Sequence, residues 1–198
     1  FTYISLKPNI FFKLFHVICI EKNDIKTVPQ VLLYEYDWAW KTIVYGFSSD
    51  IENIIRLKRN FPTIKNILKT ANPPMIFGAG IQDHLGDAQD ATELLGLPLL
   101  DSDNGVDHFS LYLEKEHVFY KPYIHRVRNR ELFNPPHCFT AKGLNCNNFR
   151  MRSAYSDKKL VCRETMYIIK GIEKQKDILL NLVGLFNSSF FSYLNLMI

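Results

Sequence analysis

The sequence predicts an α+β fold, a twisted mixed β-sheet with an inserted helical pair and a C-terminal helical hairpin. Three observations lead to this class. Short segments rich in β-branched and aromatic residues recur through the first 170 residues. Two segments between residues 49 and 70 instead carry apolar side chains at helical spacing. From Lys174 onward the apolar period is again that of a helix, which places a helical hairpin at the C-terminus.

The composition is typical of a globular chain and fits one domain with a small appendage. The 198 residues are 47% hydrophobic and 22% charged, which excludes a disordered or collagen-like chain. Residues 178–198 are apolar but contain six Asn and Ser side chains, so we expect amphipathic helices there and no membrane partner. The N-terminus does not resemble a signal peptide, and we expect a cytoplasmic protein. Because the sequence begins with Phe1, we expect it to be part of a longer protein.

The N-terminal third is predicted as strands followed by two helices. Residues 3–20 are interpreted as one or two strands, and residues 31–45 as a further strand because aromatic and β-branched residues are enriched there. On such a strand Trp38 and Trp40 would share a face. Ser49-Asp50-Ile51-Glu52 is typical of a capping box and predicts a helix that ends near Asn60.

The remaining elements follow from turn residues and period changes. A second helix is predicted over 63–70, a strand that turns at glycines over 75–81, and an acidic loop with a short helix at 88–95. Further strands are predicted near 109–113, 117–120, 124–127, 138–141, 149–155, 159–163 and 166–170. Asn187-Ser188-Ser189 is a cap signal between two C-terminal helices, the second of which reaches Met197.

Positive charge is concentrated in one quarter of the chain. Residues 121–170 hold eleven basic and three acidic residues, a net charge of +8, whereas the remainder holds thirteen basic and seventeen acidic residues, a net charge of −4. Six of the eleven cations are arginines, whose planar guanidinium group matches phosphates and the guanine edge. Several Asn residues, which can bind adenine edges, are interleaved with them. The pattern favours an anionic polymer as partner, and nucleic acid above others.

The four cysteines, Cys19, Cys138, Cys146 and Cys162, are predicted to be free buried thiols. None of them forms a C-x-x-C pair. A zinc site built from His137, Cys138, Cys146 and Cys162 is the alternative that the sequence leaves open. No metal is expected.

Several short motifs are interpreted as structural turns or solvated loops. Phe77-Gly78-Ala79-Gly80 begins like a dinucleotide loop but lacks the third glycine, so we expect a tight backbone turn. Asn72-Pro73-Pro74 and Asn134-Pro135-Pro136 resemble a methyltransferase catalytic loop, yet Met and His stand where an aromatic residue is required, and both are interpreted as proline turns. Asp83-His84 and Asp107-His108 leave a small hydrolase or nuclease open as a further reading.

The segment from 119 to 143 resembles a strand pair of the target-recognition domains that follow the catalytic domain in adenine-specific, amino-group DNA methyltransferases of bacterial restriction–modification systems. Other matching pieces are residues 152–155, a strand ending near Cys162, residues 167–169 and 179–185, and, as the most specific element, residues 186–193 (FNSSFFSY). Upstream, Trp40-Lys41, Gly46 and Asp50-Ile51 resemble the entry into the recognition region. The resemblance extends over about residues 32–197.

The resemblance implies a specificity domain that docks on double-stranded DNA and recognises its target sequence. Residues 1–30 would be N-terminal strands or the link to a missing catalytic domain, and residues 31–198 the target-recognition domain. The fragment is expected to be no enzyme by itself and to need no cofactor. S-adenosylmethionine is expected in the catalytic methyltransferase domain of the same parent chain, which would be the second partner.

The charged and amide side chains of the basic segment are the candidate DNA contacts. Phosphates are predicted to be held by Lys142, Lys158, Lys159 and part of the arginine set. Base edges are predicted to be read by some of Arg126, Arg128, Arg130, Asn145, Asn147, Asn148, Arg150 and Arg152. The alternative is a protein–protein interaction module that docks through the aromatic residues of the C-terminal helices, Phe186, Phe190, Phe191 and Tyr193.

Overall fold

The computed structural model describes residues 2–4, 25–84, 89–103, 105–113 and 117–198, and it has the predicted α+β class. Most of the strand region predicted over 3–20 lies outside the described residues. The chain divides into two compact units, Phe1–Pro62 together with Tyr193–Ile198, and Thr63–Ser192. The domain boundary expected between residues 30 and 31 falls inside the first unit.

Among its described residues before Pro62, the first unit contains a strand pair and three helices. Strands β1 (Thr2–Ile4) and β2 (Ile25–Thr27) are antiparallel. Helices α1 (Gln30–Glu35), α2 (Ala39–Tyr45) and α3 (Ser48–Asn60) follow. Their apolar residues form one core cluster, which includes Ala39, Ile43, Ile51 and Ile54.

The strand predicted over residues 31–45 is wrong, because this segment forms α1 and α2. Trp38 and Trp40 therefore do not share a face. Successive helical residues are turned by about 100°, so two positions apart lie nearly opposite. Trp38 is 9% exposed, whereas Trp40 is 46% exposed. Tyr34 and Tyr45 are exposed as well, so the aromatic residues of this segment do not mark the buried face of a strand.

Helix α3 ends at Asn60 as predicted, but its N-terminal cap differs from the expected box. The helix begins at Ser48, and the backbone N–H of Phe47 donates to Asp50 Oδ2 at 2.6 Å. The other carboxylate oxygen of Asp50 accepts the hydroxyl of Tyr193 at 2.6 Å. Burial and this neighbouring carboxylate raise the pKa of Tyr193 to about 12.

The second unit is built on a four-stranded antiparallel sheet with the strand order β10-β9-β12-β3. Its strands are β3 (Ile76–Ala79), β9 (His137–Ala141), β10 (Ser153–Ser156) and β12 (Met166–Lys170). The predicted mixed character is absent from this sheet, since its described pairings are all antiparallel. Parallel pairing occurs in a separate two-stranded sheet of β5 (Leu99–Leu100) and β11 (Val161–Cys162).

Short elements complete the second unit around the sheet. Strand β4 (Gln89–Asp90) pairs with β8 (Tyr123–Ile124), and β6 (Val106–Asp107) pairs with β7 (Ser110–Leu111). Single 3₁₀ turns are formed by Thr92–Leu94, Arg130–Phe133 and Glu173–Gln175. The helix predicted over 88–95 is thus only a 3₁₀ turn in its described part.

Three helices belong to this unit wholly or in part. Helix α4 (Ile64–Thr70) begins as predicted, with Thr63 Oγ1 accepting the N–H of Asn66 at 3.2 Å. Helices α5 (Lys176–Asn187) and α6 (Ser189–Met197) form the predicted C-terminal pair. Ser188 caps α6, since its hydroxyl oxygen accepts the N–H of Phe191 at 3.0 Å. In the described part of the chain, no helix is long and apolar enough to cross a membrane.

The two faces of the sheet contribute to different core clusters. Phe139 and Ile168 project from one face into the largest cluster. Cys138 and Ile169 project from the other face, where helix α5 packs over them. Alternation along β9 and β12 therefore places neighbouring residues in separate cores.

The cysteines differ in accessibility, which corrects the prediction that all are buried. Cys138 and Cys162 are fully buried, and Cys146 is exposed, while Cys19 lies outside the described residues. Burial raises the pKa of Cys138 to about 12 and raises that of Cys162 as well.

Alkylation of the native protein with iodoacetamide is expected to label Cys146 while Cys138 and Cys162 remain unmodified, because the thiolate is the nucleophile and burial opposes its formation. Peptide mass spectrometry after labelling measures each site separately. In denaturant all three thiols should react at similar rates. Native labelling of Cys138 that keeps pace with Cys146 would contradict the placement of β9 under α5.

Candidate nucleic-acid interface

Connections from four strands meet at one end of the four-stranded sheet. Strand β9 ends at Ala141, which lies opposite Met166 at the beginning of β12. Strand β10 begins at Ser153, beside the same end of β9, and β3 ends at Ala79 next to Tyr167. We call this the basic sheet end, defined by residues 79–82, 126–128, 142–152 and 163–165.

Backbone hydrogen bonds connect these segments side by side. The N–H of Lys142 donates to Thr165 O at 3.0 Å, and that of Glu164 donates to Ile81 O at 2.8 Å. Gln82 and Arg126 exchange two backbone hydrogen bonds, at 3.0 and 3.2 Å. These bonds connect the segments of Lys142 and Arg126 through Glu164-Thr165 and Ile81-Gln82.

Eight of the eleven predicted DNA contacts belong to the basic sheet end. Six are in the loop between β9 and β10, and two are in the segment paired with Gln82. They are Lys142, Asn145, Asn147, Asn148, Arg150, Arg152, Arg126 and Arg128. The chain topology therefore places most of the residues that charge and amide content select as DNA contacts at one end of the sheet.

Lys158 and Lys159 are not part of this group. They follow the last residue of β10, at the opposite end of the sheet, where Lys158 O lies 2.9 Å from His137 Nε2 at the beginning of β9. The five residues of β9 separate the two ends by roughly 13 Å. The predicted DNA contacts are thus divided between the two ends of the sheet.

Three arginines have carboxylate partners. Arg128 lies 3.8 Å from Glu164, and Arg163 is held between Asp83 at 3.4 Å and Asp101 at 3.0 Å. Arg130, the third predicted contact outside the group of eight, forms a 2.6 Å ion pair with Glu93. Arg130 also donates to the carbonyl oxygen of Asp90 at 2.6 Å. Arg130 and Arg163 are therefore committed to the fold.

The loop between β9 and β10 uses several of its polar groups to hold its own shape. Arg150 donates to Asn187 O at 2.8 Å. Arg152 donates to Asp103 O at 3.4 Å. Asn145 Oδ1 accepts the N–H of Asn147, and Asn148 Oδ1 accepts that of Arg150. The carboxamide oxygens of Asn145 and Asn148 are thus engaged in turns rather than available as base acceptors.

Two cations of the basic sheet end have neither an ion pair nor a side-chain hydrogen bond to the protein among the residues that the structure describes. Arg126 is exposed on its bridge to Gln82. Lys142 is exposed at the end of β9, and its Nζ lies 4.9 Å from the ring centroid of Tyr167. These two side chains are the best placed of the predicted contacts to bind an external anion.

The glycine segment 77–80 is mostly strand rather than the tight turn expected from the sequence, and Gly80 serves packing within the chain. The first three residues of the segment lie in β3, and the N–H of Gly80 donates to Met166 O at 3.2 Å. A Cβ at Gly80 would overlap the carbonyl oxygens of Cys162 and Arg163. Gly80 therefore lies against the backbone of its own chain at Cys162 and Arg163, and no space is left there for a phosphate.

The histidine after the second Asn-Pro-Pro segment is a core residue. His137 is fully buried, and its two ring nitrogens lie 2.8 Å from Leu132 O and 2.9 Å from Lys158 O. Burial lowers the pKa of His137, and the two carbonyl contacts oppose that shift. Its neighbour Cys138 projects from the opposite face of β9. Among the described residues no cluster of His, Cys, Asp or Glu could hold a metal ion, so the alternative zinc site is not formed there.

The two Asp-His dipeptides do not form a shared site. Asp83 is engaged by Lys121 at 3.6 Å as well as by Arg163. The ring of His84 stacks on that of His125 with 4.7 Å between centroids. Asp107 and His108 contact each other at 3.0 Å, and hydrogen bonds from His108 lower the pKa of Asp107. These contacts are those of charged surface loops and give no support to the hydrolase reading.

The aromatic docking face predicted on the C-terminal helices is largely covered. Phe186 is buried and contacts Phe191 with ring centroids 4.9 Å apart. The hydroxyl of Tyr193 is bonded to Asp50. Phe190 is the one member of the four that is exposed. The apolar residues of these helices are thus mainly core residues.

No protein-family model matches the chain, and a search of curated proteins finds no match either.

Sequence reasoning missed an exposed aromatic pair beside Lys142. Phe77 and Tyr167 lie on adjacent strands with ring centroids 5.2 Å apart. Each ring stands in an apolar run that predicts a buried strand, so composition alone does not distinguish it from its core neighbours. The strand register, which only the structure provides, shows that both project from one face.

Proposed function

We propose that this chain is the target-recognition domain of an adenine-specific DNA methyltransferase of a restriction–modification system. The observation that carries the proposal is the basic sheet end, where Arg126 and Lys142 are exposed on segments connected by backbone hydrogen bonds and have no carboxylate partners in the described structure. The sequence resemblance over residues 32–197 supports the same function. The catalytic domain of the parent chain would supply the S-adenosylmethionine site and the methyl transfer.

Lys142 and Arg126 suit different parts of a duplex. The ammonium group of Lys142 is a compact charge that suits a phosphate. The guanidinium group of Arg126 can pair with both acceptors of guanine in the major groove, a contact worth about 1–3 kcal/mol of discrimination. Recognition therefore combines a sequence-independent contact with a base-specific one.

Arg128 can join this pair because its ion pair is weak. Its guanidinium group is 3.8 Å from Glu164, and both side chains are about a third exposed or more. Exposed ion pairs of this kind contribute at most about 1 kcal/mol. A phosphate can therefore replace Glu164 as the partner of Arg128 at little cost. Arg130 is left out of the proposed interface because it lies outside the basic sheet end, and Arg163 because it is held between two carboxylates.

Binding of duplex DNA is expected to weaken steeply with salt, and Lys142→Ala should reduce the salt slope by about one unit. Fluorescence anisotropy titrations of a labelled duplex at several salt concentrations measure both quantities. Lys159→Ala is the matched control, since it removes an exposed lysine at the opposite end of the sheet and should leave the slope unchanged. A slope that is flat for the unmodified chain, or equal losses in the two variants, would contradict the proposal.

A further inference from the structure

Phe77 and Tyr167 form an exposed aromatic pair on the four-stranded sheet. Phe77 is 55% exposed and Tyr167 is 38% exposed. Tyr167 pairs with Ala79, and Phe77 pairs with Ile169, so the two rings meet diagonally across β3 and β12. Their centroids are 5.2 Å apart and their planes are inclined by 37°. Together they present a continuous aromatic surface to solvent.

The pair is exposed because helix α5 covers only part of this face. The helix packs over β9 and β10, where Cys138 lies beneath Leu179 and Val183. On β12 the cover reaches Ile169 but not Tyr167, and on β3 it does not reach Phe77. Near the basic sheet end the uncovered part of this face consists of the two rings, and no described side chain of the core clusters covers them.

A cation adjoins the rings. Lys142 Nζ lies 4.9 Å from the centroid of Tyr167, and the lysine stands at the end of β9, directly beside the beginning of β12. Two aromatic rings with a neighbouring ammonium group provide the features that bind an unpaired nucleotide. The flat rings stack on a base of any identity, and the charge pairs with its phosphate.

We propose that Phe77, Tyr167 and Lys142 form a binding site for an unpaired nucleobase of a DNA strand. Charge complementarity favours this occupant over an apolar protein surface, since the cation beside the rings, Lys142, is exposed and has no carboxylate partner among the described residues. This proposal rests on the proposed function, which identifies DNA as the partner, and it extends that function to unpaired bases. The site adds a contact to a single-stranded or extrahelical base that a duplex with all bases stacked does not offer.

The test uses a single-stranded oligonucleotide about twelve nucleotides long that carries one 2-aminopurine, whose fluorescence falls when it stacks on an aromatic ring. Tyr167→Ala and Phe77→Ala are each expected to weaken binding about fivefold or more and to abolish the quenching. Tyr167→Phe retains a ring and should retain both. Tyr120→Ala removes an aromatic residue that is 75% exposed elsewhere and serves as the control.

Titrations of the fully paired duplex with the same variants separate this site from the proposed function. Loss of single-strand binding in Tyr167→Ala, with duplex binding retained, supports both. If the duplex does not bind but the alanine variants still lose single-strand affinity, the stacking site stands and the duplex proposal fails. If single-strand affinity and quenching are the same in Tyr167→Ala, Phe77→Ala and Tyr120→Ala, the stacking site is overturned, and a protein partner becomes the occupant to seek. Thermal unfolding of each variant checks that the fold is intact.

Discussion

Asn187→Ala is expected to lower the free energy of unfolding by about 3 kcal/mol, because it removes the side chain that ties α5 to β10. Asn187 is buried. Its Oδ1 accepts the N–H of Ser153 at 3.0 Å, and its Nδ2 donates to Ser153 O at 2.7 Å and to Val183 O at 3.0 Å. Alanine can make none of these bonds. The N–H of Ser153 would be left buried without its acceptor, which is the costly part of the change.

Urea unfolding followed by circular dichroism measures the effect. Asn181→Ala is the matched control, since Asn181 lies in the same helix on an exposed position and alanine favours the helix there. Asn187→Asp tests the donor separately. It retains an acceptor for the N–H of Ser153 but places a carboxylate oxygen against Ser153 O, so it should destabilise at least as much as alanine. Equal stability of the Asn187→Ala and Asn181→Ala variants would show that the α5–β10 tie does not form.

The same junction includes residues 186–193, the most specific element of the sequence resemblance. Besides the bonds of Asn187, Ser192 Oγ accepts the N–H of Met151 at 3.0 Å, and Ser188 caps α6. The Asn and Ser side chains thus fasten the loop between β9 and β10 to the two helices. A sequence motif that resembles a family of DNA-recognition domains is here a structural support for the loop that carries six of the predicted contacts.

The helices and strands that local rules specify were predictable from sequence, and the placement of side chains was not. Caps at Thr63 and Ser188 and the alternation in β9 and β12 follow from neighbouring residues, and the predicted elements form there. The segment from 31 to 45 fails because strand propensity depends on context more than helix propensity does. Leu33, Ala39 and Ile43 of this segment pack into the core of the first unit from helices.

For the candidate site, too, the sequence predicts what neighbouring residues determine and does not predict long-range contacts. Charge and amide content select residues of the loop between β9 and β10 because they are adjacent in sequence. The assignment of Lys158 and Lys159 to the same surface requires the direction of β10, which carries them to the opposite end of the sheet. The carboxylate partners of Arg130 and Arg163 come from Glu93, Asp83 and Asp101, more than thirty residues away. Long-range pairing of this kind leaves no local signal.

Gly80→Ala is the second change with a large expected effect, a loss of about 3 kcal/mol in the free energy of unfolding. The added Cβ would overlap the carbonyl oxygens of Cys162 and Arg163. Relief requires moving backbone that also forms hydrogen bonds, since the N–H of Ile81 donates to Cys162 O at 2.8 Å and that of Gly80 donates to Met166 O at 3.2 Å. The clash therefore cannot be relaxed by rotating a side chain.

Gly184→Ala is the same substitution with the opposite expected effect on stability, and it provides the control. Gly184 lies within α5, and no atom lies within 4 Å of a Cβ built there. Alanine should stabilise this helix by about 0.5–1 kcal/mol, because glycine loses more backbone entropy on folding. Urea unfolding of the two variants should thus move the midpoint in opposite directions. If Gly80→Ala left the free energy of unfolding unchanged, the turn between β11 and β12 could not lie directly against Gly80. The series of hydrogen bonds that connects the segments of Lys142 and Arg126 would then lack its central contact.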